Sequence, residues 1–227
     1  MVLIPGGTFK MGRNDGRDNE KPEHEATVNS FYMDKTEVTN AEYYEFVKQN
    51  GRKPVPTNWE NDKPLSGHEQ MPVRYVTYND AVAFAEWRSK RDGLTYRLPT
   101  EEEWEYAARN GGKNNLYPWG DRYDPKCAVL DQSSNEPKAV GTASCPNDWG
   151  VVDLIGNVFE WTSSPAALYQ GNTILVAKPL SEPYFMVRGG ASLYKSTGPL
   201  AISSTFRNEV AASKRLAELG FRLVRNP

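Results

Sequence analysis

Apolar and polar positions recur at the helical period in three places, and each is framed by capping residues. "TNAE", Thr39 to Glu42, reads as a capping box: the Thr39 hydroxyl accepts a first-turn amide and Glu42 reaches back. The helix "NAEYYEFVKQN" follows, and Gly51 stops it. "NDAVAFAEWRSKR" sets Val82, Ala85 and Trp87 on an apolar face and ends at Asp92-Gly93. "LPTEEEWEYAARNGG" repeats the grammar: Thr100 caps, Glu103 closes the box, three glutamates meet the positive helix end, and Gly111 terminates. Strand-like runs are shorter, the best being "TVNSFYMDKTEVT", "YFMVRGG" and "GFRLVR". Between Asn110 and Asp153 almost no period is visible, and the aromatics and oxygen ligands there imply loops ordered by packing and ion binding. The pattern predicts an α+β fold with high loop content, read as one domain over residues 1–227.

Composition narrows the function classes. With 38% hydrophobic and 25% charged residues a packed core is available. A net charge of −2 lacks the basic footprint of nucleic-acid binding. No apolar run approaches the roughly 18 residues of a membrane span. The start, "MVLIPGGTFKMG", has no basic segment followed by a long apolar one, so no signal peptide is expected and the compartment stays open. Cys127 and Cys145 could pair in an oxidising compartment; isolated unreactive thiols are the simpler reading. His24 and His68 lie in polar segments as surface residues, and two histidines cannot build a three-histidine metal site.

Eight segments then occur in a telling order: "MVLIPGGTFKMG", "FYMDKTEVTNAEY", "MPVRYVTYNDAVAFAEW", "YRLPTEEEWEYAAR", "YPWGD", "DLIGNVFEWT", "VRGGAS" and "LGFRLVR". Together they resemble the formylglycine-generating-enzyme, or sulfatase-modifying-factor, family over Met1 to Arg225. The resemblance implies an elaborated C-type-lectin-like fold, with a small twisted antiparallel sheet, a few helices and extensive ordered loops. Active members hold copper(I) on two cysteines and oxidise a substrate cysteine with O2; the soft ion requires thiolates. Counted from Gly189-Gly190, those positions are Tyr194 and Pro199, and the family's conserved arginine falls in register on Arg207. The chain is therefore expected to lack formylglycine-generating activity and to need no copper. Other relatives use iron on three histidines or act in siderophore maturation, which keeps an oxidoreductase with a non-cysteine site as an alternative.

The resemblance also implies a structural calcium in "DLIGNVFEW". Its ligands would be the side chains of Asp153 and Glu160 and the carbonyls of Gly156 and Val158, a hard-oxygen set suited to that ion. The bland alternative has both carboxylates bonding backbone amides without an ion. A second calcium site of some relatives is expected to be lost, with Ala128 and "SSNEPKAV" at the corresponding places.

From Ser192 to Phe206 only Lys195 is charged, and hydroxyls and aromatic rings dominate. In active relatives this segment lines the peptide groove. Tyr194, Lys195, Ser196, Ser203, Ser204, Phe206 and Arg207 are the candidate ligand-binding residues, since tyrosine and serine make adaptable contact surfaces. The expected function is a non-catalytic domain binding a protein or peptide, possible attachment to a signalling module included. A variable protein of a diversity-generating retroelement is a further alternative, because such proteins diversify a segment ending near "GFRLV". "TEEEWE" is read as capping rather than as an acid pair, "RNDGRDNEKPEHE" as a solvated loop, and "YPWGD" as a turn with Trp119 buried.

Overall fold

Three threonines start the helices. Thr39, Thr77 and Thr100 sit in extended backbone, and each accepts the amide three residues on while that residue's carboxylate bonds back. They open α1 (Asn40–Asn50), α2 (Tyr78–Asp92) and α3 (Glu101–Ala108) in a computed structural model that describes residues 1–51, 54–134, 136–143, 145–174, 182–198 and 201–227. The Thr77 box escapes the usual pattern because the shorter Asp80 closes it. Gly51 and Gly93 take left-handed backbone at the ends of α1 and α2, as C-terminal caps require. α3 stops earlier than expected, at Ala108, with Arg109 as its cap. On α2 the buried face is Ala81, Phe84, Ala85 and Trp87, while Val82 stands half-buried at its flank.

The strands are β1 (Val2–Ile4), β2 (Gly7–Met11), β3 (His24–Val28), β4 (Phe31–Met33), β5 (Tyr96–Arg97), β6 (Phe159–Pro165), β7 (Tyr184–Arg188), β8 (Arg207–Ala211), β9 (Leu219–Gly220) and β10 (Val224–Arg225). They form three sheets among the described residues, ordered β1-β4-β10-β5, β2-β3 and β8-β7-β6-β9. Their pairing is antiparallel, as expected, except that β9 runs parallel to β6. Two anticipated strands are each cut in two. The run from Thr27 breaks at Asn29-Ser30, where the backbone turns tightly over Gly6 and Ser30 accepts its amide at 2.9 Å. The run from Gly220 is shared between two sheets, β9 pairing with β6 and β10 with β4 and β5, and Arg222 between them binds the buried Glu160.

One core packs α1 against α2 through Tyr43, Phe46, Phe84 and Trp87, and continues to Phe221, Trp161 and Phe206. A second gathers Phe9, Met11, Phe31, Met33 and Trp104 around the first two sheets. Cys127 and Cys145 form a disulfide, which corrects the reading as isolated thiols. The residues flanking the two cysteines both fold onto the Asp153–Asn157 stretch. Val129 bridges Gly156, and the Gly141 amide bonds Asp153, so tertiary packing brings the thiols together. No described helix is long and apolar enough to cross a membrane.

Candidate functional site

The segment after β7 divides into an accessible and a buried half. Tyr194 is half-buried, its ring edge-on to Phe159 at 4.8 Å. Burial raises its hydroxyl pKa, the negative Glu218 adds to the rise, and Arg17 opposes it. Lys195 is exposed, 3.8 Å from Asp131, and the same carboxylate faces the Ser196 amide. These three residues form an open surface. Pro199 and Leu200 lie outside the described residues.

The other four expected contact residues are structural. Ser204 is buried and donates to the Ala108 carbonyl at 2.9 Å. Phe206 is 2% exposed, with the Arg17 guanidinium lying 3.9 Å above its ring. Arg207 grips Glu101 with two hydrogen bonds of 2.7 and 2.8 Å and stacks 3.8 Å over Tyr169. Ser203 is almost fully buried, shares a hydrogen bond with Thr205, and reaches a cleft only at its edge. A buried hydroxyl or guanidinium must be paired, and pairing inward removes it from the surface. The loop Arg13–Glu25 is not simply solvated either: Glu20 is buried and accepts from the Thr205 hydroxyl at 2.7 Å. His24 is half-buried, edge-on to Tyr169 at 4.5 Å.

The glutamates of α3 do more than cap. Glu103 closes its box and pairs with Arg97 at 2.6 Å. Glu101 and Glu105 instead point inward: Arg188 binds both, Arg207 binds Glu101 and Arg109 binds Glu105. Burial disfavours the Arg188 charge, but Glu105 and Glu101 outweigh it and hold its pKa above the ordinary value.

A second buried cluster surrounds the expected calcium loop. Gly156 has φ 83°, and a side chain there would collide with the Val129 carbonyl, so only glycine fits the turn. Asp153 also adopts left-handed backbone, φ 58°, and its Oδ2 accepts from the Gly141 amide. The Glu160 carboxylate is fully engaged: both oxygens accept from Arg222, at 2.7 and 2.8 Å, and one from the Trp104 indole at 2.9 Å. Glu37, which the sequence reading missed, joins them; its Oε1 accepts from the Asn157 amide at 2.9 Å. Asp153 Oδ1 and Glu37 Oε2 are buried with no hydrogen-bond partner. Burial and the charge of Asp153 push the Glu37 carboxyl well up, and burial also raises Asp153. Two unanswered carboxylate oxygens suit a hard cation, whereas Glu160 is satisfied by protein donors. Among the described residues no three His, Cys, Asp or Glu side chains converge as a ready ligand cage. Of the second site expected to be lost, Ala128 is buried and Asn135 lies outside the described residues.

Several clefts open on the surface, two of them beside the segments described above. One of about 430 Å³ lies between Thr27–Ser30 and the start of α3, but its Arg97 is already held by Glu103 and Asn226. The other, about 350 Å³, lies between the Arg13–Glu20 loop and Gly198, Ala201, Ile202 and Ser203, with Leu116 and Tyr117 between them. Tyr117 is the buried ring of the "YPWGD" turn; Trp119 stacks on it at 5.3 Å and is half-buried, not buried as expected.

The model of the sulfatase-modifying factor enzyme 1-like domain matches residues 1–227. The inactive Cα-formylglycine-generating enzyme 2 of Mus musculus is 36% identical, over 72% of this chain and 68% of its own. The formylglycine-generating enzyme of the same species is 30% identical, over 98% and 74%. Among solved structures, PvdO from Pseudomonas aeruginosa superposes with a TM-score of 0.81 at 28% identity, covering 100% of this chain and 94% of that one. The Treponema denticola variable protein 1 gives 0.79 at 22% over 100% and 95%, a likeness of fold.

Proposed function

The chain belongs to the sulfatase-modifying factor enzyme 1-like family, and from that premise we propose that it is a non-catalytic member that binds a protein or peptide. Its docking surface is the accessible half of the C-terminal segment, Tyr194, Lys195 and Ser196, with the adjoining cleft. The observation that carries this reading is the disulfide. Both cysteines of the chain are joined to each other, and Tyr194 stands where the resemblance places the first copper ligand. No thiol remains to hold a soft cation or to enter a thiol-based oxidation. Incubation with copper(I), O2 and a cysteine-containing sulfatase peptide should give no aldehyde product and no O2 uptake beyond the protein-free control. Appearance of the aldehyde product would overturn the reading in favour of a family oxidoreductase with a different site.

In the same proposal a structural calcium sits at the Asp153 loop, with Asp153 and Glu37 as its acidic side chains. Glu160 acts one step removed, by holding Arg222. The two donor-free carboxylate oxygens support this arrangement. Calcium at a hundredfold excess over its dissociation constant should stabilise the fold by about 2.7 kcal/mol, and Asp153→Ala should abolish the gain. A Glu160→Gln protein that folds should keep it.

A further inference from the structure

We propose that the cleft lined by Ala201, Ile202 and Ser203 recognises an acidic side chain of the polypeptide ligand, with Arg17 and Arg13 as the partners of its carboxylate. The inference rests on the binding reading above and names what that surface selects.

Four charged residues line the cleft: Arg13, Asp15, Arg17 and Glu20. Their pairings are unequal. Arg13 meets Asp15 at 2.9 Å, but the Asp15 side chain is 85% exposed, and such a pair is easily exchanged for another partner. Arg17 is 3.9 Å from Glu20, beyond hydrogen-bond distance, while the other Glu20 oxygen is committed to Thr205 at 2.7 Å. Arg17 Nη2 is removed from solvent and bonds to nothing. Burial pulls the pKa of Arg17 below its ordinary value, although Glu20 and Tyr194 oppose the fall. Its charge is therefore only partly compensated by the protein.

The guanidinium is also held in place. It lies flat over Phe206, whose ring is buried. A guanidinium fixed in this way offers its accessible N–H groups to a carboxylate with little further loss of side-chain freedom. Asp15 and Glu20 in the same lining disfavour a doubly charged phosphate and leave room for a single negative charge. Leu116 and Ile202 supply apolar wall beside the arginines, so the favoured segment sets an aspartate or glutamate next to an apolar side chain. At about 350 Å³ the cleft is at the small end of the roughly 300–1,000 Å³ typical of ligand pockets. That is room for side chains of a bound segment.

The test is selection from a phage-displayed random peptide library on the intact, disulfide-bonded protein. Enriched peptides are then synthesised and titrated against wild type, Arg17→Gln and Arg13→Gln. The expected result is a shared acidic position. Changing it to its amide should weaken binding to wild type about tenfold, as loss of a charge-assisted hydrogen bond does. Arg17→Gln should weaken the acidic peptide by a similar factor and leave the amide peptide unaffected, so the two changes are coupled. The amide substitution is made on the peptide, so the test survives if an arginine variant folds poorly. Enriched peptides without an acidic residue, or acidic peptides indifferent to Arg17, would overturn the inference while leaving the binding reading intact. Enrichment of no peptide would sink both.

Discussion

Glu160 and Arg188 stand opposite each other on β6 and β7, yet their charges are answered in different places. Trp104 stands between them: its indole N–H donates to Glu160 at 2.9 Å, and the Arg188 guanidinium lies 5.3 Å from its ring. On one side Glu101 and Glu105 are met by Arg188, Arg207 and Arg109, a cluster in which each carboxylate has guanidinium partners. On the other, Glu37, Asp153 and Glu160 share Arg222, which spends its carboxylate contacts on Glu160. Glu37 and Asp153 each keep one oxygen without a donor. In the closed cluster every carboxylate oxygen meets a donor of the chain, with only Arg109 Nε and Arg188 Nε left unbonded, and the pairs tie α3 to β7 and β8. The open one has negative charge left over, and a proton or a cation must supply what the protein does not.

The sharpest way to break this contrast is to unbalance the closed side. Glu101→Ala removes the only carboxylate partner of buried Arg207 and one of the two of Arg188, and should cost about 3–5 kcal/mol in urea unfolding, the usual penalty for half of a buried ion pair. A loss under about 1 kcal/mol would mean that water reaches the cluster.

Removing the disulfide by Cys127→Ser with Cys145→Ser comes next. Closing 18 residues of separation restricts the unfolded chain by about 3 kcal/mol, so that much stability should be lost. Hydrogen exchange should rise at Gly141 and Val129, beside the open cluster, and stay low in α3.

Smaller still is the effect of Glu37→Gln, which removes a charge the open side does not balance. With calcium chelated it should stabilise by about 1–3 kcal/mol at neutral pH. The sign with pH follows from the raised carboxyl. Folded Glu37 holds its proton more tightly than the unfolded chain does, so its contribution is full below the ordinary value of about 4.3 and is lost as pH rises. Wild type in chelator should weaken from pH 5 to pH 7, and the variant should show a flatter profile. A profile unchanged by the substitution would mean that Glu37 is not the unbalanced group.

At the surface, Lys195→Ala breaks only an exposed 3.8 Å contact with Asp131 and should change stability by less than about 0.5 kcal/mol.

Local chemistry was legible in the sequence wherever the determining atoms are near neighbours. The boxes at Thr39 and Thr100 are visible because cap and acid are three residues apart, and Gly51 and Gly93 mark helix ends by a backbone preference that needs no partner. The family order of motifs fixed the fold class for a similar reason, since it is a property of the linear chain. Glu101 shows the limit. Its place in the first turn of α3 explains why an acid is tolerated there, but its partners Arg188 and Arg207 are 87 and 106 residues away. The same distance hid the inward turn of Ser204 and Arg207, the contact of Glu20 with Thr205 and the meeting of the two cysteines. Residue type established which groups could bond or bear charge. Which of them face solvent, and which spend that capacity on each other, was decided by tertiary packing, because burial leaves a polar group no alternative to a partner within the fold.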